Sequence, residues 1–223
     1  MGGLKFGIDP AAVETVCRQI CQVQQLRVEM GIVVGGGNIF RGLQAADRGM
    51  DRVTGDNMGM LATVINALAM MDTLEKMGVY TRVMSAVKLE AFAEQYIRRR
   101  AVRHMEKGRV VIFAAGTGNP YFSTDTAASL RAVEVSAELL IKATSVSGVY
   151  SADPKTHEDA TFYPRLSYMD LLTRELRVMD STAISLLKDT HIPVRVVNLN
   201  DPDNLRRVVL GEDVGTLISD GAK

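Results

Sequence analysis

Apolar positions recur along the chain in two alternating patterns. Between Pro10 and about Arg27, residues Val13, Val16, Cys17 and Ile20 fall at three- and four-residue steps, the spacing that lines one face of a helix. Asp9 and Pro10 supply an N-cap and a first helical residue whose missing N–H costs nothing there. Short apolar and β-branched runs follow at Gly31–Val34, Thr81–Met84, Val110–Ala114, Leu139–Lys142 and Val194–Val197. Helical patterns separate them, at about Asn57–Met77, Leu89–Lys107, Thr124–Ser136, Ser181–Thr190 and Asp203–Leu210. Continuous apolar strands joined by helices predict a parallel sheet, because each parallel crossover needs a helix to return the chain and covers a sheet face. The expected fold is α/β, a three-layer α/β/α sandwich with a mainly parallel central sheet. With no repeat, low-complexity tract or Pro/Gly/Ser linker, residues 1–223 are expected to form a single domain.

Two helical segments carry unusual patterns. "NMGMLATVINALAMMDTLEKM" is apolar nearly all round and rich in methionine, which fits a core helix or a subunit contact better than a ligand site. "YIRRRAVRHMEKGR" concentrates charge, as a solvated face does; an anion or effector site at a subunit edge is the alternative.

Composition narrows the class. Hydrophobic residues make up 47% of the chain and 26 basic residues balance 26 acidic ones, so a core is available and neither a basic nucleic-acid binder nor an acidic disordered tail is indicated. "MGGLKFGIDP" lacks the basic and apolar regions of a signal peptide, and no apolar run approaches the roughly 18 residues of a membrane span. Cys17 and Cys21 lie four apart on the first helix, while His104, His157 and His191 are scattered. Small buried or half-buried side chains are expected there rather than a metal or redox pair. The lack of a disulfide framework points to a reducing, cytoplasmic setting.

Two strands are followed by glycine loops, "GGGNIFRG" after Gly31–Val34 and "AGTGNPYFSTD" after Val110–Ala114. Ligands of open α/β sheets bind beyond the carboxyl ends of strands, and a backbone without Cβ can close its N–H groups on phosphate oxygens. Neither loop matches G-x-x-x-x-G-K-[ST] or G-x-G-x-x-G. Ser123 or Thr124 can cap the following helix and bring its positive end to the second loop, and Arg41 adds a cation to the first. The combination suits phosphoryl transfer involving a substrate with several phosphates.

The blocks "GGGNIFRG", "MDRVTGDNMGMLATVINALAM", "AAGTGNPYFSTDTAA", "IKATSVSGVYSADP" and "VMDSTAISL" run in order from about Phe6 to Ile218 and resemble those of the bacterial uridylate (UMP) kinases of the amino-acid-kinase superfamily. The resemblance implies an α/β sandwich, assembly as a homohexamer, and transfer of the ATP γ-phosphoryl group to UMP with Mg²⁺. Effector control by GTP or UTP is common in that family. By position, Gly36 and Asp56 would contact UMP, Asp56 through the ribose hydroxyls. Thr117, Gly118, Asn119, Pro120, Tyr121, Phe122, Ser123 and Thr124 would wrap its phosphate and base. Gly37 and Arg41 would face the ATP phosphates, with Arg41 stabilising the transferring group. Thr144, Tyr150 and Asp153 would hold the ATP nucleoside, and Asp125 and Asp180 would organise the catalytic centre.

A phosphomonoester has its second pKa near about 6, so UMP is largely a dianionic nucleophile at neutral pH and needs no general base. Asp125 and Asp180 are therefore read as orienting a cation or Mg²⁺. The metal is expected to arrive with ATP rather than in a dedicated protein cage.

Two departures stand out. The family opens with a strand and turn of the type "LLKLSGEAL", whose lysine and glycine touch the ATP phosphates, whereas this sequence starts after it; Lys5 precedes "FGIDP" off any strand and is not assigned that role. Ser145 and Ser147 stand where the family commonly has a polar or basic residue and an aspartate. The alternative expectation is a catalytically weak nucleotide-binding subunit. A superfamily member acting on a carboxylate or carbamate is a third reading, against which "TGNPYFSTD" argues.

Overall fold

A computed structural model describes residues 6–42, 49–176 and 178–221; Lys5 lies outside them. The chain divides into two compact units, Met1–Ala128 and Ser129–Lys223.

In the first unit, helix α1 (Pro10–Gln24) starts as its sequence requires, the Asp9 side chain accepting from the Ala11 and Ala12 N–H groups with Pro10 in the first turn. Strands β1 (Gly31–Val33), β2 (Thr81–Ser85), β3 (Glu94–Gln95) and β4 (Val110–Ala114) form an all-parallel sheet in the order β1-β4-β2-β3. All five residues of β4 are buried. Alternation puts Val110, Ile112 and Ala114 on one face, in a core with Val64, Ala67, Met70 and Leu74 of helix α2 (Arg52–Lys76) and Cys17 and Ile20 of α1. Helix α3 (Arg98–Glu106) also packs on β4 and buries Ala101 and Met105. Each fully buried aliphatic side chain contributes about 2 kcal/mol.

The expected cysteine environment is present. Cys17 is buried with its Sγ 3.8 Å from the Met70 carbonyl oxygen, and the half-buried Cys21 Sγ lies 3.7 Å from Met77 Sδ. Burial, and then the neighbouring Cys21, push the Cys17 thiol up to about 12, so it stays protonated at neutral pH. Among the described residues no three His, Cys, Asp or Glu side chains are grouped to hold a metal, and no helix is long and apolar enough to cross a membrane.

Two boundaries differ from the sequence expectation by more than a helical turn. Helix α2 begins at Arg52 rather than Asn57, because Asp51 accepts from the Thr54 N–H and caps a first turn with little apolar content. The segment expected to be helical from Leu89 to Lys107 is helical only over α3. Glu94 and Gln95 instead pair in parallel with Met84 and Ser85, and the Tyr96 N–H donates to the Ser85 carbonyl at 2.9 Å. An unpaired sheet edge takes these backbone groups in preference to helix continuation.

In the second unit, β5 (Leu140–Thr144), β8 (Arg165–Leu166), β9 (Val194–Asn198) and β10 (Thr216–Ile218) form a sheet in the order β5-β9-β10-β8; β10 is antiparallel to β9 and the other pairs are parallel. Strands β6 (Val149–Tyr150) and β7 (Phe162–Tyr163) form a separate antiparallel pair. Helices α5 (Tyr168–Thr173) and α6 (Ser181–Thr190) bury Leu171, Ala183, Ile184 and Leu187 in a core with Val194, Val196 and Ile218. The buried Tyr168 hydroxyl donates to the Ile192 carbonyl. Helix α7 (Asn204–Val209) places Val208 against Val197 and Val214. Helix α4 (Thr124–Glu134) runs across the division between the units. The fold is thus α/β with mainly parallel sheets.

Candidate active site

The first glycine loop lies on the N-terminal half of α2, where small residues let two backbones approach. A Cβ on Gly36 would stand 2.7 Å from the Gly59 carbonyl oxygen and 2.8 Å from the Ala62 Cβ. A Cβ on Gly42 would be 2.7 Å from Asp56 Oδ1 and 2.8 Å from the Gly55 carbonyl carbon. Glycine is therefore required at both positions by packing alone. Gly37 is different, since a Cβ there would meet only the Arg41 side chain, at 3.5 Å.

Asparagine side chains fix the loop. Asn66 on α2 donates to the Gly35 carbonyl at 2.7 Å and exchanges amide hydrogen bonds with Asn38. Asn38 in turn bonds Gly7 through both its side chain and its carbonyl. The exposed Arg41 folds back so that its Nε donates to the Gly37 carbonyl at 3.0 Å, which sets the guanidinium beside the loop.

The second loop is held by the same helix. Thr63 Oγ1 accepts the Ala115 N–H at 2.7 Å, and Asp56 Oδ2 accepts the Tyr121 N–H at 2.8 Å. Both anchored residues have left-handed backbone, φ 62 at Ala115 and φ 71 at Tyr121, a conformation that costs energy for a residue with a side chain and is held here by those acceptors. Between them, Thr117 Oγ1 accepts the Asn119 N–H at 3.2 Å and closes a turn that includes Gly118. Tyr121 and Phe122 are exposed, at 67% and 52%.

Of the two expected caps for α4, Ser123 is the one used, its Oγ accepting from the Asp125 and Thr126 N–H groups at 3.0 and 3.1 Å. Asp125 sits in the first turn, where a carboxylate is favoured by the helix dipole. The two loops also meet, since a Cβ on Gly35 would lie 3.5 Å from Thr124 Oγ1. The structure thus brings Gly36, Gly37, Arg41, Asp56, Thr117, Gly118, Asn119, Pro120, Tyr121, Phe122, Ser123, Thr124 and Asp125 into one unit around α2.

The remaining expected residues are in the second unit. Thr144 ends β5, and its hydroxyl accepts the Val146 N–H at 3.0 Å and donates to the Val146 carbonyl at 2.9 Å, shaping the loop that carries Ser145 and Ser147. Asp153 Oδ1 accepts the Lys155 N–H at 2.9 Å, and Lys155 Nζ donates to Ser145 Oγ at 3.0 Å, so a lysine tethers the departing position. Tyr150 on β6 stacks at a tilt on Phe162 with ring centroids 5.3 Å apart. Asp180 is the N-cap of α6, accepting the Ala183 N–H at 3.0 Å.

Sequence reasoning missed Arg52, Thr63 and Asn66 on α2, Asn38 in the first loop, and Lys155. Arg52 and Asp56, four apart at a helix start, carried an i,i+4 ion-pair signal; the others are polar residues whose partners are distant in sequence.

Known proteins share this fold. A sequence model of the Amino acid kinase family matches residues 1–198. The crystal structure of UMP kinase from Bacillus anthracis is similar with a TM-score of 0.95 and 39% identity over 99% of this chain and 91% of that one. UMP kinase from Ureaplasma parvum has a TM-score of 0.89 and 37% identity, covering 96% of this chain and 91% of that one. Uridylate kinase from Archaeoglobus fulgidus has a TM-score of 0.74 and 29% identity, covering 95% and 94%. Two glycine loops clamped on one helix, a family match over most of the sequence and this similarity along nearly the whole chain lead to one conclusion: the chain belongs to the amino acid kinase family, among its bacterial UMP kinases.

Proposed function

We propose that this chain transfers the γ-phosphoryl group of ATP to UMP, giving ADP and UDP, in pyrimidine nucleotide biosynthesis. The observation that carries the reading is the convergence of two glycine loops on α2, with the Asp56 carboxylate between them and the start of α4 beside them. The UMP phosphate fits the exposed loop Thr117–Thr124 at the N-terminal end of α4, where the helix dipole favours an anion. Asp56, an acceptor-only group, suits the ribose hydroxyls.

The acceptor dianion needs no proton removed, so the chain's work is positioning and charge neutralisation. Arg41, fixed at Gly37 by its Nε, offers its remaining guanidinium N–H groups to the transferring phosphoryl oxygens. Thr144, Tyr150 and Asp153 are the proposed ATP nucleoside contacts. Mg²⁺ bound with ATP would neutralise phosphate charge and align the donor. Asp125 and Asp180 are the carboxylates proposed to orient that ion, which phosphates and water would mostly hold. The same reading includes a homohexamer in the cytoplasm responsive to GTP or UTP, for which the exposed apolar residues Met58, Leu61 and Ile65 of α2 offer a contact face.

The test is a coupled assay of ADP release with UMP, CMP and AMP as acceptors. UMP turnover well above the other two is expected. Equal turnover of CMP, or phosphorylation of an amino acid in place of UMP, would overturn the proposal. Calorimetric binding of UMP without UDP formation would support the weak nucleotide-binding subunit instead.

A further inference from the structure

We infer that Arg52 is a positioning residue for the acceptor nucleotide, setting the direction in which Asp56 presents its carboxylate to the ribose; this rests on the acceptor site proposed above. Arg52 and Asp56 lie on successive turns of α2. The Arg52 Nε donates to Asp56 Oδ2 at 2.7 Å, with the side chains 33% and 16% exposed. The same Oδ2 accepts the Tyr121 N–H at 2.8 Å, so both of its lone pairs are used. The Arg52 guanidinium also lies over the Tyr121 ring, 5.3 Å from its centroid, and so grips the left-handed residue from its side chain as well as through Asp56.

Oδ1 has no hydrogen-bond partner among the described residues. It lies against Gly42, where a Cβ would come within 2.7 Å of it, so any side chain at that position would collide with this oxygen. The carboxylate torsion is soft, and two donors converging on Oδ2 are what hold Oδ1 in one direction. A ribose hydroxyl donating to Oδ1 would then be read by a group already oriented. With Arg52 removed, Asp56 loses one of the two donors that aim it, and Tyr121 loses one of its two restraints. Lysine does not replace arginine here, because it has neither the planar fork nor the Nε donor close to its stem.

The experiment compares UMP with 2′-deoxy-UMP and 3′-deoxy-UMP in the wild type, Arg52→Gln and Arg52→Lys, by steady-state kinetics and by calorimetric binding. The wild type should prefer UMP over at least one deoxy analogue. In Arg52→Gln the KM for UMP should rise about tenfold with kcat within about twofold, the KM for ATP should be unchanged, and the preference for the ribose hydroxyl should fall toward parity. Arg52→Lys should fall short of wild type in the same preference, and it carries the comparison if Arg52→Gln does not fold. An unchanged UMP to deoxy-UMP ratio in the variants, or a wild type indifferent to both hydroxyls, overturns the inference. A wild type that binds no UMP at all overturns the acceptor site itself.

Discussion

At the scale of single residues, neighbouring glycines have different reasons for being glycine. Gly36 is pressed on the backbone of α2, with Gly59 and Ala62 closer to its would-be Cβ than any side chain tolerates, whereas Gly37 has room for a methyl group. Gly36→Ala should therefore cost about 1–3 kcal/mol of stability by overpacking. The displaced loop should also lower kcat/KM for UMP by about a hundredfold, because placement errors of an ångström are expensive in a positioning enzyme. Thermal melts and acceptor kinetics on the one variant check both; wild-type kinetics in Gly36→Ala would show that the loop does not form the site. The sequence alone suggested a ligand reason for both glycines. It gave no sign of the packing reason at Gly36, because the atoms that exclude a Cβ belong to a helix more than twenty residues further on.

At the scale of elements, α5 shows how a short helix is held by its ends. Ser167 Oγ accepts the Asp170 N–H at 3.0 Å while Asp170 Oδ2 accepts from the Ser167 hydroxyl and N–H, a reciprocal capping box. The Ser167 side-chain hydrogen bond, then its backbone N–H, hold the Asp170 carboxyl below its usual 3.8. A carboxyl lowered in the folded state contributes stability that is complete above its unfolded pKa and is lost as pH falls through the folded one. Ser167→Ala should thus cost about 1 kcal/mol at pH 7, and its deficit relative to wild type should shrink below about pH 4. Denaturant melts across that range test it; a deficit independent of pH would mean that the carboxylate takes no part. Helix α5 was not foreseen from the apolar pattern, although S-x-x-D before Leu171 carried the capping signal. Two-residue strands such as β3, β6, β7 and β8 are too short to show a period and exist through their partners, while the long runs of β2, β4, β5 and β9 could be read directly.

At the scale of the whole molecule, the division at Ala128 falls inside α4 (Thr124–Glu134), so neither unit holds that helix complete. A single cooperative unfolding transition is expected, with calorimetric and van't Hoff enthalpies in agreement. Two separable transitions would show that the units unfold independently. The family and the loop positions were legible because their motifs are contiguous blocks of sequence. What joins the loops was not: Thr63 and Asn66 stand in what reads as an apolar, methionine-rich helix, and their meaning depends on Ala115 and Gly35 arriving beside them, as that of Arg52, just before this stretch, depends on Tyr121.

The small residues of α2 also shape how this protein can drift. Glycine inside a helix costs about 1 kcal/mol relative to alanine, so exchange at Gly55 or Gly59 toward alanine would favour the isolated helix. At Gly55 that route is crowded, with a Cβ 3.2 Å from the Gly42 carbonyl oxygen, while at Gly59 a Cβ would meet nothing within 4 Å among the described residues beyond its own helix backbone. One exchange pushes on the first glycine loop, and the other strengthens the helix and leaves the loop where it is. Helix propensity and loop placement are opposed at the first glycine and independent at the second.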